Sequence, residues 1–340
     1  MRVIRARNVH QALPEAIHQL QCSHVEEDSR NGTVWVSPEP VATVYTHPRE
    51  RVVFWPERDA NPFFHFYEAL WMLGGRNDVA SLTRFVKRMQ EFSDDGTTFH
   101  GAYGHRWRKH FGDDQLAIII ANLKANPGCR RQVLQIYDNV VDLVINQNGM
   151  RDIPCNLAVH FMMRWGALDM TVFNRSNDII WGCYGANAVH FSMLQEYVAT
   201  GVGVPVGQYW QISDNWHGYL ATLKPLLGLA DQAAQPPSLG VPDPYLTKVQ
   251  PFRLINTDVE TWNADLDMFL SQGCGAMGYL DVFFRRVALP ILMVHDAYRA
   301  KHYDAARSLA LDIKASDWRL AIQEWLNRRE ARRESSKGTA

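Results

Sequence analysis

Residues 151–219 carry the side chains best suited to do chemistry. The stretch opens with Pro154-Cys155-Asn156 and continues through Asn174-Arg175-Ser176-Asn177-Asp178. Trp181-Gly182-Cys183-Tyr184-Gly185-Ala186-Asn187 follows, and His217-Gly218-Tyr219 closes it. A thiol, an Arg-Ser pair that reads as buried, a carboxylate and a His/Tyr end thus succeed one another on alternating strands and turns. Such a set can hold an anionic small molecule against a cysteine nucleophile. Residues 157–164 and 168–174 read as strands joined at Trp165-Gly166-Ala167, the spacing of a hairpin. An antiparallel hairpin brings Cys155, at the start of one strand, to Arg175, at the end of its partner. A nearby cation raises a cysteine's thiolate fraction, and the thiolate is the nucleophile. The competing reading is an inert core thiol. A cysteine hydrolase would need a histidine base against Cys155. His160, five residues along the same strand, faces away from or beyond it.

The elements that must position this stretch follow from periodicity and punctuation. Arg30-Asn31-Gly32 is a turn into a strand at 33–36, and residues 51–55 read as a second strand. Asn61 and Pro62 open a helix as N-cap and first helical residue. That helix sets Phe63, Phe66, Leu70 and Leu73 at helical spacing and stops at Gly74-Gly75. Glu68 lies inside it and reads first as part of its solvated face. Residues 78–93 form an amphipathic segment. Tyr103-Gly104-His105-Arg106-Trp107-Arg108 is a loop rich in groups that bind anions. Residues 113–125 form a helix. Arg130-Arg131 precede a strand at 133–137, as solvated charge unless an anion is close. Past the hairpin come a glycine-containing turn at 182–185, a helix at 187–200, a strand at 209–213 and a helix at 214–227. Residues 228–250 are a loop or insertion rich in Pro, Gly and Ala. Residues 297–327 are a helix or helix pair, and 328–340 a charged, disordered tail.

Composition bounds the partners. The chain has 340 residues, 46% of them hydrophobic, enough for one large domain or two ordinary ones. A net charge of -1 gives no footprint for nucleic acid. No apolar run suits a membrane helix, and residues 1–7 are too polar for a signal-peptide core. Five cysteines, never spaced as a metal pair, read as reduced thiols of a cytoplasmic protein that holds no metal.

In order and spacing these motifs resemble the thymidylate synthase family, including its hydroxymethylase branch. Pro154-Cys155 stands where that family has Pro-Cys, and Arg175-Ser176-Asn177-Asp178 where it has Arg-Ser-x-Asp. His217-Gly218-Tyr219 matches its His-x-Tyr. Glu68-Ala69-Leu70-Trp71-Met72-Leu73, the Tyr103 loop, Cys129-Arg130-Arg131 and Arg30-Asn31-Gly32-Thr33 are similar to further family motifs. The resemblance covers residues 28–222. It implies an α/β (α+β) fold, a mixed sheet flanked by helices that packs across a homodimer with shared active sites. A single catalytic domain at 1–327 is then expected, in the cytoplasm of a host cell if a phage encodes it.

The same resemblance implies the chemistry. Cys155 would add to C6 of a pyrimidine nucleoside monophosphate, and 5,10-methylenetetrahydrofolate would supply one carbon to C5. Glu68 would manage protons through water, with Tyr103 and Asn156 completing the catalytic set. Arg30, Arg175 and Ser176 would hold the phosphate, joined by Arg130 and Arg131 from the other subunit. His217 and Tyr219 would hold the sugar, Ala186 and Asn187 would face the base, and Asp178 would bind the pterin.

Departures from the pattern direct the choice of reaction. Asn156 replaces a histidine, Ala186 replaces the base-reading asparagine with Asn187 beside it, and Asn215 replaces an aspartate. Met89 and Phe92 stand near two tryptophans that shield the methylene in the synthases. A polar end at 335–340 replaces an apolar closing tail. Water can then quench the methylene before hydride does. The implied reaction is C5 hydroxymethylation, leaning to deoxycytidylate over deoxyuridylate. C5 methylation is the sister reading, and a nucleotide binder without catalysis the reading from another class.

Overall fold

The computed structural model describes every residue except 30, 148–150, 235–239 and 339–340. Arg30 therefore lies outside the described residues. Eight strands form one mixed sheet: β1 (Arg2–Ala6), β2 (Val25–Ser29), β3 (Gly32–Val36), β4 (Val41–Tyr45), β5 (Val133–Gln135), β6 (Asn156–Arg164), β7 (Ala167–Asp178) and β8 (Val206–Tyr219). Their order is β1-β4-β8-β7-β6-β5, with β3 on β8 and β2 on β3. β6 and β7 form the expected antiparallel hairpin, with Phe161 opposite Met170 and Asn156 opposite Asn174. β8 runs parallel to β7, so its register sets Ser176 against Asn215 and Asp178 against His217.

Helices cover one face of the sheet: α1 (Val9–Cys22), α2 (Pro62–Leu73), α3 (Gln115–Ala125), α4 (Asn187–Val202), α5 (Val259–Gln272), α6 (Leu289–Arg299), α7 (Tyr303–Ala310) and α8 (Ser316–Gly338). Asn61 caps α2 by accepting from the Phe64 amide at 3.2 Å, with Pro62 at the first helical position. Phe63, Phe66, Leu70 and Leu73 are buried, as their spacing predicts. α4 is buried along almost its whole length and forms the centre of the core. Period-two alternation on the strands sends Leu168, Met170 and Val172 inward, while Phe173 and Arg175 face out. The opposite face of the sheet, with Ala158, Met162, Thr171, Phe173, Trp210 and Ile212, is half-buried or exposed in the single chain.

Four expected elements differ, one of them the Tyr103 segment, which is helical over Tyr103–His110 instead of a loop. Residues 51–55 form no strand, because their amides are satisfied by distant side chains. The Val52 amide donates to the Tyr245 hydroxyl at 3.1 Å and the Phe54 amide to His10 Nδ1 at 3.3 Å. Residues 214–219 are strand, not helix, since β8 continues to pair with β7 through His217 and with β3 through Tyr219. Residues 328–338 are not a disordered tail; they complete α8. Arg328, Arg329 and Arg332 converge on Asp59, and Arg333 lies over the Tyr303 ring.

Candidate active site

The hairpin places the thiol and the cation together. Arg175 donates its amide to the Cys155 carbonyl at 2.9 Å, and its Nη2 lies 3.8 Å from Cys155 Sγ. The same guanidinium donates to the carbonyls of Pro154 and Ile153 at 2.9 and 3.1 Å, which holds it in place. Arg175 is exposed and Ser176 half-buried, so the pair is open to a ligand and not buried as its sequence suggested. A guanidinium this close to sulfur favours the thiolate.

Tyr103 reaches the same point from the start of a helical segment, Tyr103–His110, where the sequence suggested a loop. Its hydroxyl takes a hydrogen bond from the Cys155 backbone. Burial, and then Cys155, push that hydroxyl well above the usual tyrosine range, so it stays a neutral donor. This segment can sit there because Gly104 lacks a side chain: a Cβ would come within 2.0 Å of the Met72 carbonyl of α2. Asn156 is fully buried. Its Nδ2 donates to Asn174 Oδ1, and Asn174 Nδ2 donates to the Ile212 carbonyl at 3.1 Å. Asn156 Oδ1 is left buried without a partner among the described residues.

A second amide chain runs through the turn after β7. Residues Ile179–Ala186 wind helically but break at a kink, where Tyr184 and Gly185 leave helical backbone geometry. Past that kink it is Asn187, one position beyond Ala186, that reaches the strand: its Nδ2 donates to Asn177 Oδ1 at 3.1 Å. Asn177 Nδ2 donates to Gln211 Oε1 at 3.3 Å and to Ser213 Oγ at 3.0 Å. Gln211 Nε2 donates to the Cys183 carbonyl at 3.0 Å. Gly182 makes room, since a Cβ there would meet Asn177 Oδ1 at 2.7 Å. Ala186 offers no polar group to this chain.

Asp178 starts this turn. Its Oδ1 accepts the amides of Ile180 and Trp181 at 2.6 and 2.7 Å, while Oδ2 is buried without a partner among the described residues. Burial raises its carboxyl above the usual range, against those amides, His217 and Arg58. Opposite it on β8, His217 Nδ1 lies 2.7 Å from Asn215 Oδ1 and its ring packs edge-on to Tyr219. Asn31 Nδ2 reaches the Tyr219 hydroxyl at 3.5 Å, which brings the turn next to Arg30 to this end of the site.

Glu68 is not on a solvated face. It meets His190 of α4, with Nε2 and Oε2 2.9 Å apart. The segment carrying Met89 and Phe92 is tied to the approach to Cys155: the Arg151 amide donates to Asp94 at 3.0 Å, and the Arg151 side chain to the Glu91 carbonyl at 3.3 Å. Met89 packs against the core, whereas Phe92 is exposed beneath Arg88. Trp107 and Trp216 are core residues, and Trp181 is exposed beside Arg58. Arg130 and Arg131 are exposed at the edge of the sheet, and neither guanidinium has a hydrogen bond or ion pair among the described residues.

Asn174, Asn177, His190 and Gln211 were missed by sequence reasoning. The signal for His190 was its i+3 spacing from Asn187 on a helix; for the others it was polar residues at inward positions of strands.

A family model of thymidylate synthase matches residues 20–268. A deoxyuridylate hydroxymethyltransferase of Pseudomonas phage M6 is 54% identical over 347 aligned positions, covering 100% of this chain and 98% of that protein. A protein of the same name from Bacillus phage SP01 is 42% identical over 53% of this chain and 49% of its own length. A putative thymidylate synthase of Methanothermobacter marburgensis is 36% identical over 40% of this chain and 58% of its own.

Proposed function

This chain belongs to the thymidylate synthase family, and on that premise we propose that it hydroxymethylates C5 of deoxyuridylate. It is a one-carbon transferase of the hydroxymethyltransferase kind. Arg175 and Ser176, with Arg30, bind the phosphate; His217 and Tyr219 bind the sugar. Cys155 adds to C6, which makes C5 a nucleophile. The cofactor is 5,10-methylenetetrahydrofolate, which supplies the one-carbon unit when bound. The orphan Asp178 Oδ2 suits the N–H donors of its pterin. Glu68 takes up the proton of a water molecule that the exposed Phe92 does not exclude. The exposed sheet face and the unpaired Arg130 and Arg131 support a homodimer in which each subunit completes the other's phosphate site. The phage origin of the two hydroxymethyltransferase relatives supports action in the cytoplasm of a host cell.

The choice of uracil rests on the direction of the amide chain. A carbonyl oxygen can only accept, so Cys183 turns the Gln211 nitrogen toward itself. Gln211 Oε1 then faces Asn177 Nδ2, and Asn177 Oδ1 faces Asn187 Nδ2. Asn187 is left to offer Oδ1, which can accept from uracil N3–H; cytosine N3 carries no hydrogen. This moves the reading from deoxycytidylate to deoxyuridylate, the nucleotide in the relatives' names. Mass spectrometry of the nucleotide after turnover tests it. The expected product is 5-hydroxymethyl-deoxyuridylate, with deoxycytidylate turned over at least ~10-fold more slowly. A gain of one methyl group without oxygen would establish the methylase instead, and preference for deoxycytidylate would overturn the amide argument.

A further inference from the structure

We propose that His190 is a positioning residue for the hydration step: it donates Nε2–H to Glu68 and so turns the other carboxylate oxygen toward the attacking water. The inference rests on the hydroxymethylase reading above. Hydration needs a base that synthase chemistry does not need at that point. Water oxygen bonds to the exocyclic carbon on C5, its proton goes to Glu68, and the electron pair released into the ring expels the Cys155 sulfur from C6. A carboxylate on an otherwise apolar helix can do this only if it is held in one orientation.

The structure supplies the holder. Asn187 and His190 lie three residues apart on α4, hence on one face. Asn187 is bonded into the amide chain of the site, and His190 Nε2 stands 2.9 Å from Glu68 Oε2 at an angle outside hydrogen-bond geometry, which a small rotation of either side chain corrects. Both ring nitrogens of His190 are buried without a hydrogen-bond partner among the described residues. Nε2 is the one beside a carboxylate oxygen, and an N–H facing that oxygen is tolerated better than a lone pair, which puts the proton on Nε2. Phe191, the next residue, packs 6.3 Å from the ring of Tyr103, whose hydroxyl meets Cys155. His190 thus sits on the helix that connects the base reader, the proton acceptor and the nucleophile's neighbour.

Two substitutions and one trap test this. His190→Leu removes the donor; His190→Gln keeps a donor near the position of Nε2. Each variant is measured for kcat and KM on deoxyuridylate, and for covalent adduct with 5-fluorodeoxyuridylate and methylenetetrahydrofolate, which reports events before hydration. The expected result for His190→Leu is a fall in kcat of ~10-fold or more, KM within ~2-fold and full adduct yield, with His190→Gln regaining most of kcat. Unchanged kcat in His190→Leu overturns the proposal. So does a parallel loss of adduct, which would make His190 a support of the whole site, or failure of His190→Gln to restore kcat. If the unmodified protein forms no adduct, the reading of the reaction itself fails, and that outcome is distinct from the others.

Discussion

At the scale of single residues, the site depends on groups whose direction is fixed by backbone. Cys155 receives Arg175 because the hairpin pairs their backbones, and Asn187 points one way because the Cys183 carbonyl sits at the far end of its chain. Cys155→Ala removes the group proposed to add to C6 but leaves Arg175 bonded to the carbonyls at 153 and 154. Turnover is expected to fall by ~10^3-fold or more while nucleotide affinity stays within a few-fold. Titration calorimetry beside a turnover assay checks it, and appreciable activity in the variant would remove Cys155 from the mechanism. The pairing of Cys155 with Arg175 was legible before any coordinates, because a hairpin's spacing dictates which ends meet. The amide chain was not: whether Asn187 or Ala186 faces β7 depends on a kink at Tyr184 and Gly185 that the residue types do not announce. Glu68 misled for a related reason, since its partner His190 comes from a helix more than a hundred positions away.

At the scale of elements, the sequence misread segments whose structure is decided by remote partners. Residues 51–55 have the composition of a strand, yet Tyr245 and His10 take their amides. The arginine-rich end reads as disorder until Asp59 is placed beside it. α8 itself begins on a buried carboxyl. Asp317 accepts the Trp318 amide at 2.8 Å and the Tyr245 hydroxyl at 3.1 Å. Burial lifts it from 3.8 to about 6, against the Trp318 amide, Arg51 and Tyr245. The folded state therefore binds this proton more tightly than the unfolded chain. Its contribution is fully present below 3.8 and is lost as pH rises through about 6. The loss amounts to at most roughly 3 kcal/mol by neutral pH. Asp317→Asn, which cannot ionise, is expected to be less destabilised between about pH 5 and pH 7.5 than the parent. Urea midpoints at both pH values measure this; an identical pH dependence in both proteins would mean that Asp317 titrates normally.

At the scale of the whole molecule, the proposed phosphate site is shared between two chains. The sheet buries one face under helices and leaves Phe173, Trp210 and Ile212 at least partly accessible on the other, a surface suited to a second copy. Arg130 and Arg131 stand at the edge of the same sheet, and neither pairs with a carboxylate among the described residues. In a two-fold dimer the patch meets itself, and each edge lies against the other subunit's site. Cys155→Ala and Arg131→Ala should then each be impaired alone, for different reasons. A heterodimer of the two holds one damaged site, lacking both groups, and one intact site. The intact site takes Cys155 from the Arg131→Ala subunit and Arg131 from the Cys155→Ala subunit. Random exchange at equal amounts makes half the dimers mixed, with half their sites whole. Activity should recover to about a quarter of the parent's site count. Mixing the variants under mild denaturant, removing it and assaying hydroxymethyl product measures this. No recovery, with light scattering showing a stable dimer, would place Arg131 outside the partner's site. A stable monomer that is fully active would end the shared-site reading altogether.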